Sequence, residues 1–190
     1  MSKSLNIALT GPPGIGKTTY IQKLAKSLNE RGIPCCGFLT EEVRGSNKER
    51  IGFDVISLDG KRGVLARTNV SGATAKSSAS SFMVGKYSVD VKAFEAVVLP
   101  LFKEIPKSSV IVIDEIGKME MFSSKFVQKV REIISTSEHR MIVTIPISKG
   151  RLIPLVEEIR NHKNFRIETI SRTNRDDCQM FEDLLNFFKS

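Results

Sequence analysis

The sequence has 190 residues, the length of one domain, and its 41% hydrophobic and 26% charged residues are ordinary for a globular protein. It contains no apolar run of the roughly 18–20 residues that cross a bilayer, and its first residues lack a signal-peptide pattern, so no membrane partner is expected. Three cysteines, two of them adjacent, argue against a disulfide framework or a zinc site. We expect reduced thiols in a cytoplasmic protein, with the nucleus as the alternative compartment.

The net charge of +8 fits the binding of an anionic ligand. The basic residues are scattered rather than clustered, and the sequence has no Trp and only two Tyr for stacking on bases. We therefore expect an anion pocket on a basic surface. A nucleic-acid groove is the alternative that this charge leaves open.

Helix and strand patterns alternate along most of the chain. Apolar residues at helical spacing predict helices at residues 17–30, 89–104, 124–135, 152–160 and 176–188. Short β-prone runs predict strands at residues 5–10, 33–39, 51–58, 64–67, 110–113, 141–145 and 165–170. Asp59-Gly60 is a strong hairpin turn between the third and fourth strands.

This alternation predicts an α/β fold, with a mostly parallel sheet covered by helices on both faces, in a single domain spanning residues 1–190. The hairpin at 51–67 breaks the alternation and is expected to extend the sheet antiparallel at one edge. Residues 68–81 are rich in Ser, Thr, Ala and Gly and are predicted to form a surface loop.

A complete G-x-x-x-x-G-K-[ST] motif is the most specific signal in the sequence. It lies between a predicted strand and a predicted helix, as a phosphate-binding loop requires, although a plain Gly-rich turn is the structural alternative. Its backbone N–H groups would face the phosphates, Lys17 would reach the β- and γ-phosphates, and Thr18 would ligate Mg²⁺, the expected cofactor. The residues assigned to nucleotide binding here are Gly11, Pro12, Pro13, Gly14, Ile15, Gly16, Lys17, Thr18 and Thr19.

A second signal is the apolar strand 110–113, which ends in two carboxylates. In a P-loop protein Asp114 is placed to bind Mg²⁺, and Glu115 is placed to orient or deprotonate an attacking water. The following Ile116 and Gly117 are expected at the nucleotide. Many buried strands end in an acid, so the pair gains its meaning from the P-loop.

A base beside the metal favours water as the nucleophile, and therefore hydrolysis of nucleoside triphosphates. A nucleotide or nucleoside kinase is the first alternative, but it needs an acceptor pocket and usually an Arg-rich lid, and residues 68–81 contain no Arg. A nucleotide-dependent switch linked to nucleic acid is the second alternative. We expect a monomer.

Residues 174–177, Asn-Arg-Asp-Asp, echo the guanine-reading N-K-x-D motif with Arg in place of Lys. Asn174 is therefore a candidate for contact with the base. The alternative is that Thr173 or Asn174 caps the final helix and the two aspartates favour its first turn. Base discrimination is expected to be loose.

Other polar residues are weaker candidates. Thr144 ends strand 141–145, and its hydroxyl would contact the γ-phosphate or the water if that strand neighbours the Asp114 strand. Arg44, Arg131 and Arg160 are candidates for an arginine finger, although each is more often a surface residue.

Several longer stretches resemble the thermophile-type nucleoside-triphosphatase family, whose vertebrate members are called cancer-related nucleoside triphosphatase. These stretches are TGPPGIGKTT, GFLTEEVR, IGFDV, VIDEIGKMEMFS, TIP and VEEIRN. The resemblance implies a RecA-like three-layer P-loop fold and hydrolysis of ATP, GTP and other triphosphates with little base preference. It places metal and water roles on Asp114 and Glu115, and it marks Lys118 and Glu120 as positions near the site without giving them a role.

Overall fold

The computed structural model describes residues 6–68, 82–148, 150 and 152–189. The predicted loop at 68–81 falls outside this part of the chain, except for Thr68, which ends a strand. The strands of the described residues are β1 Asn6–Gly11, β2 Cys35–Arg44, β3 Arg50–Ser57, β4 Arg62–Thr68, β5 Met83–Val84, β6 Tyr87–Val89, β7 Val110–Ile113, β8 Arg140–Pro146 and β9 Phe165–Thr169. The helices are α1 Lys17–Glu30, α2 Val91–Leu101, α3 Ser124–Thr136, α4 Pro154–Asn161 and α5 Cys178–Phe187, with a 3₁₀ turn at Glu120–Phe122.

All of these strands form one sheet in the order β5-β6-β4-β3-β2-β7-β8-β1-β9. Five neighbouring strands pair in parallel, in the order β2, β7, β8, β1 and β9. The sheet is extended at the β2 side by antiparallel strands, in the order β3, β4, β6 and β5. This confirms the predicted mixed sheet. The strand β7, predicted from four consecutive β-branched residues, is completely buried in the middle.

Helices cover both faces of the parallel strands, which gives the three predicted layers. One apolar cluster joins α1 and α5 to the sheet through residues such as Leu24 and Leu184. The cluster on the other face joins α2, α3 and α4, where Phe38, Phe94 and Phe126 pack edge to face. Within the described residues, no helix is both long enough and apolar enough to cross a bilayer.

The predicted boundaries differ from the structure at the antiparallel edge. The second strand was predicted to end at residue 39, but β2 continues to Arg44 because it pairs with β3 along that length. The hairpin β5–β6 was not predicted, because strands of two and three residues are too short to show a period. Asp90 caps α2 by accepting the N–H of Ala93 at 2.9 Å.

Candidate functional site

The loop between β1 and α1 has the backbone that its glycines predict. Gly14 and Gly16 have φ angles of 74° and 104°, in the left-handed region that favours glycine. A Cβ on Gly11 would lie 2.5 Å from the carbonyl oxygen of Ile170, so that position has no room for a side chain. No acidic residue lies in the first turn of α1, and no side chain caps it. Its N–H groups and the positive end of its dipole are therefore available to an anion.

Lys17 folds back across this loop. Its side chain is buried, and Nζ donates to the Gly11 carbonyl at 3.1 Å. The same ammonium lies 3.5 Å from Oε2 of Glu115. By contrast, Thr18 and Thr19 are exposed at the start of α1, where a bound phosphate or metal would meet them.

Asp114 directly follows β7 and is 1% exposed. Its Oδ1 accepts a hydrogen bond from the Thr144 hydroxyl, and its backbone carbonyl accepts one from Thr40. Burial raises the pKa of Asp114, and the nearby hydroxyls of Thr144 and Thr18 oppose that rise. Oδ2 is buried and has no hydrogen-bond partner of regular geometry in the described residues, although Thr18 lies close by. A buried carboxylate oxygen left in this state is suited to a cation or to a water bound to one.

Thr144 was predicted to reach the γ-phosphate or the water if its strand neighbours the Asp114 strand. The strands β8 and β7 are neighbours, and Thr144 is completely buried. Its hydroxyl donates to Asp114 and so fixes the orientation of that carboxylate. Its contact with a phosphate or a water stays a prediction.

Glu115 follows Asp114 and has a side chain 34% exposed, beside Lys17. Desolvation raises the pKa of Glu115, and the Lys17 ammonium opposes the rise. The next residue, Ile116, donates its N–H to the Thr144 carbonyl at 2.9 Å and buries its side chain in the core. Any contact of Ile116 with a nucleotide would therefore involve its backbone.

Sequence reasoning marked Glu120 only as a family position, and the structure places it at the site. It is 4% exposed, and its Oε2 accepts the Gly117 N–H at 3.0 Å. Burial, with a contribution from Glu115, raises the pKa of Glu120 to about 8. Lys118 points to solvent.

The three arginines predicted as candidates for an arginine finger lie in different surroundings. Arg131 pairs with Glu158 on the outer surface, and Arg44 pairs with Glu42. Arg160 lies beside the start of the P-loop. Its guanidinium donates to the Thr10 hydroxyl at 3.2 Å and to the Pro146 carbonyl. Of the three, Arg160 is therefore the one whose contacts place it beside the predicted phosphate site.

Asn174 does not cap the last helix, so the capping prediction was wrong. Asp177 is the cap, accepting the N–H groups of Gln179 and Met180, and α5 begins at Cys178 rather than at residue 176. The Asn174 amide instead shapes the loop after β9. It accepts the Ser171 N–H at 2.7 Å and donates to the Thr169 carbonyl at 2.8 Å.

The chain has a strand–P-loop–helix unit, and an acid follows a nearby parallel strand. A second carboxylate faces the P-loop lysine. Together these features define a P-loop nucleoside triphosphatase. The chain belongs to the NTPase family, whose model matches residues 6–184. It is 45% identical to the cancer-related nucleoside-triphosphatase of Homo sapiens over 90% of both chains. It is 40% identical to the nucleoside-triphosphatase THEP1 of Thermotoga sp. (strain RQ2), over 97% of this chain and 96% of the relative.

Two solved structures share the fold. A crystal structure of THEP1 from the hyperthermophile Aquifex aeolicus aligns with a TM-score of 0.82 and 35% identity, covering 97% of this chain and 99% of that one. A solution structure of a human cancer-related nucleoside triphosphatase aligns with a TM-score of 0.77 and 42% identity, covering 97% and 96%. The predicted fold class and the predicted nucleoside-triphosphate hydrolase are thereby confirmed.

Proposed function

We propose that this enzyme hydrolyses nucleoside triphosphates to diphosphate and phosphate in a Mg²⁺-dependent reaction with little preference among the bases. The observation that carries the proposal is the buried Oδ2 of Asp114, which has no hydrogen-bond partner of regular geometry among the described residues and lies close to Thr18. It is next to the carboxylate that faces Lys17.

Phosphate binding is assigned to the loop from Gly11 to Thr19. The first-turn N–H groups of α1 have no side-chain cap and would point at an anion there, and Lys17 supplies a cation from within the loop. A γ-phosphate in this loop would compete with Glu115 for the ammonium. Nucleotide binding would then free the Glu115 carboxylate for the water.

Metal binding is assigned to Thr18 and Asp114. Among the described residues, no three His, Cys, Asp or Glu side chains form a metal cluster. This fits Mg²⁺, which keeps several waters and is bound by one or two protein groups together with substrate phosphates. When bound, the ion neutralises phosphate charge and polarises the bond that breaks.

Glu115 is assigned as the base. Its carboxylate takes a proton as the water oxygen bonds to the γ-phosphorus and the bond to the bridging oxygen breaks. The raised pKa of Glu115 makes the carboxylate a better proton acceptor than a free glutamate. Arg160, held beside Thr10, is the arginine we assign to the γ-phosphate side of the site.

Weak base selectivity follows from how Asn174 is used. The oxygen and the nitrogen of its side-chain amide both form hydrogen bonds within its own loop, so neither is directed at a base. Binding would then rest on the phosphates, which are common to all substrates. We further propose a cytoplasmic monomer. A nucleic-acid partner is not expected, because Arg31, Arg44, Arg62 and Arg131 are paired with carboxylates.

A phosphate-release panel tests the proposal. ATP, GTP, CTP, UTP and dTTP are each incubated with the enzyme and Mg²⁺, and then with excess EDTA. We expect release from all five triphosphates and none in EDTA. Undiminished release in EDTA would contradict the metal assignment, and stimulation by RNA or DNA would favour the switch alternative.

A further inference from the structure

A cavity of about 550 Å³ lies alongside α1, on the face of the sheet where β2 and β3 pair. Pockets of roughly 300–1,000 Å³ are the usual size for small-molecule ligands. The lining comes from one side of α1, from the middle of β2 and from the end of β3.

One end of this cavity is the metal side of the P-loop. Thr18 lines it, and so does Thr40, whose hydroxyl donates to the Asp114 carbonyl. The cavity lies on the β2–β3 side of the P-loop, whereas the Asn174 loop follows β9, the edge strand beyond β1. A molecule at the Thr18 end of the cavity would lie beside the residues assigned to the metal, next to the place expected for the terminal phosphate.

The lining also indicates what kind of molecule would fit. Lys26 pairs with Glu30 at 3.8 Å, and Glu41 pairs with Arg62, so the charges are already balanced. Within the described residues, the Gln22 amide makes no protein hydrogen bond. The apolar part of the surface is formed by Ala25, Leu39, Ile56 and Leu58. An apolar face with hydroxyl and amide groups, and no unpaired cation, suits an uncharged molecule that has both a flat apolar face and hydroxyl groups.

We propose that this cavity binds an unphosphorylated nucleoside as a second substrate, and that a hydroxyl of the nucleoside accepts the γ-phosphoryl group in competition with water. The acceptor oxygen bonds to the γ-phosphorus, the bond to the β–γ bridging oxygen breaks, and the nucleoside diphosphate leaves. The hydroxyl proton passes to Glu115, as it does from water. The inference goes beyond hydrolysis and uses the same donor, metal residues and base.

The experiment uses γ-labelled ATP and Mg²⁺ with and without each of adenosine, guanosine, cytidine, uridine and thymidine at millimolar concentration. ADP, phosphate and labelled nucleotide are measured separately. Without nucleoside, ADP and phosphate rise equally, which tests hydrolysis by itself. With an accepted nucleoside, label appears on it and ADP exceeds phosphate.

Two cavity-filling variants, Ile56→Trp and Gln22→Trp, make the readout specific, and Leu152→Trp is the control on an exposed apolar residue outside the cavity. Ile56 is half-buried in β3 and Gln22 is on the exposed side of α1, so a folding defect in one is not expected in the other. Both variants should return the ADP-to-phosphate ratio to one with hydrolysis unchanged, and the control should not. Equal ADP and phosphate with every nucleoside would overturn the proposal, and so would nucleoside binding without transfer.

Discussion

The Lys17 ammonium lies 3.5 Å from the Glu115 carboxylate, across the space between the P-loop and the end of β7. The two residues are 98 positions apart (115 − 17), and they meet because α1 follows β1 while Glu115 follows β7, two strands away in the sheet. The ion pair therefore makes neighbours of the cation that we assign to phosphate binding and the carboxylate that we assign as the base. The substitutions Glu115→Gln and Lys17→Ala separate the roles of the two residues.

Glu115→Gln should retain nucleotide binding while lowering kcat by ~10²–10⁴, the usual contribution of a positioned base. Gln keeps the size of Glu but cannot take the proton from water. The affinity for a non-hydrolysable ATP analogue should change little, because Asp114 still faces the metal side. Loss of binding together with turnover would show that Glu115 has a structural or metal role.

Lys17→Ala should abolish or severely weaken both triphosphate binding and turnover, because it removes the only cation that the P-loop contributes. Titration of the ATP analogue and phosphate release measure the two effects. Lys23→Ala, an exposed lysine on the same helix, is the control and should behave as wild type. Turnover at the wild-type rate in Lys17→Ala would contradict the site assignment.

Sequence reasoning predicted the parallel half of the fold and the P-loop because their signals are local. The consecutive apolar residues Val110–Ile113 are enough to predict a buried strand. The glycines of the P-loop predict a turn with positive φ angles, which only glycine adopts readily. The extent of β2 was missed because its last residues belong to the sheet only through pairing with β3. Tertiary pairing of this kind leaves no period in the sequence.

In the site, too, residues with a local sequence signal were found and residues placed by tertiary structure were missed. Asp114 and Glu115 end an apolar run and were found, whereas the placement of Glu120 depends on a 3₁₀ turn that brings a carboxylate back under Gly117. The final helix was placed too early because Asp176 and Asp177 both fit a helix start. Only the hydrogen bonds of Asp177 identify the cap.

Selectivity among the five triphosphates should be under about tenfold in kcat/KM, which is ~1.4 kcal/mol. Asn174→Ala provides the sharper test, since it would loosen the loop without removing a base contact. Its effect on kcat/KM should be the same for GTP and ATP. A hundredfold preference for GTP that Asn174→Ala removes would show that this residue reads guanine.

Gly117→Ala should lower kcat at least about tenfold, or ~1.4 kcal/mol, with little loss of stability. A Cβ there would lie 2.9 Å from Oε1 of Glu115 and 3.1 Å from Oε2 of Glu120, so it would displace the ends of two side chains rather than backbone. Thermal unfolding and steady-state kinetics separate the two effects. In the Glu115→Gln background the same change should have a much smaller effect on kcat, since the displaced base is already absent; full additivity would contradict this explanation.

Glu120→Gln should change how stability depends on pH. Burial raises the pKa of Glu120 from 4.5 to about 8, so between these values the folded protein binds a proton that the unfolded chain releases. The stabilisation linked to this proton is fully present below the unfolded pKa, and it is lost as the pH rises through the folded pKa, by up to about 1.4 kcal/mol per pH unit. The free energy of unfolding of the wild type should therefore fall from about pH 5 to pH 8 relative to that of Glu120→Gln. The Gln side chain cannot titrate, yet it still offers an amide oxygen to the Gly117 N–H. Denaturant unfolding of both proteins across this range gives the difference directly, and Asp114 and Glu115 are present in both. A difference in the free energy of unfolding that stays constant with pH would show that Glu120 has the same protonation state in the folded and unfolded chain.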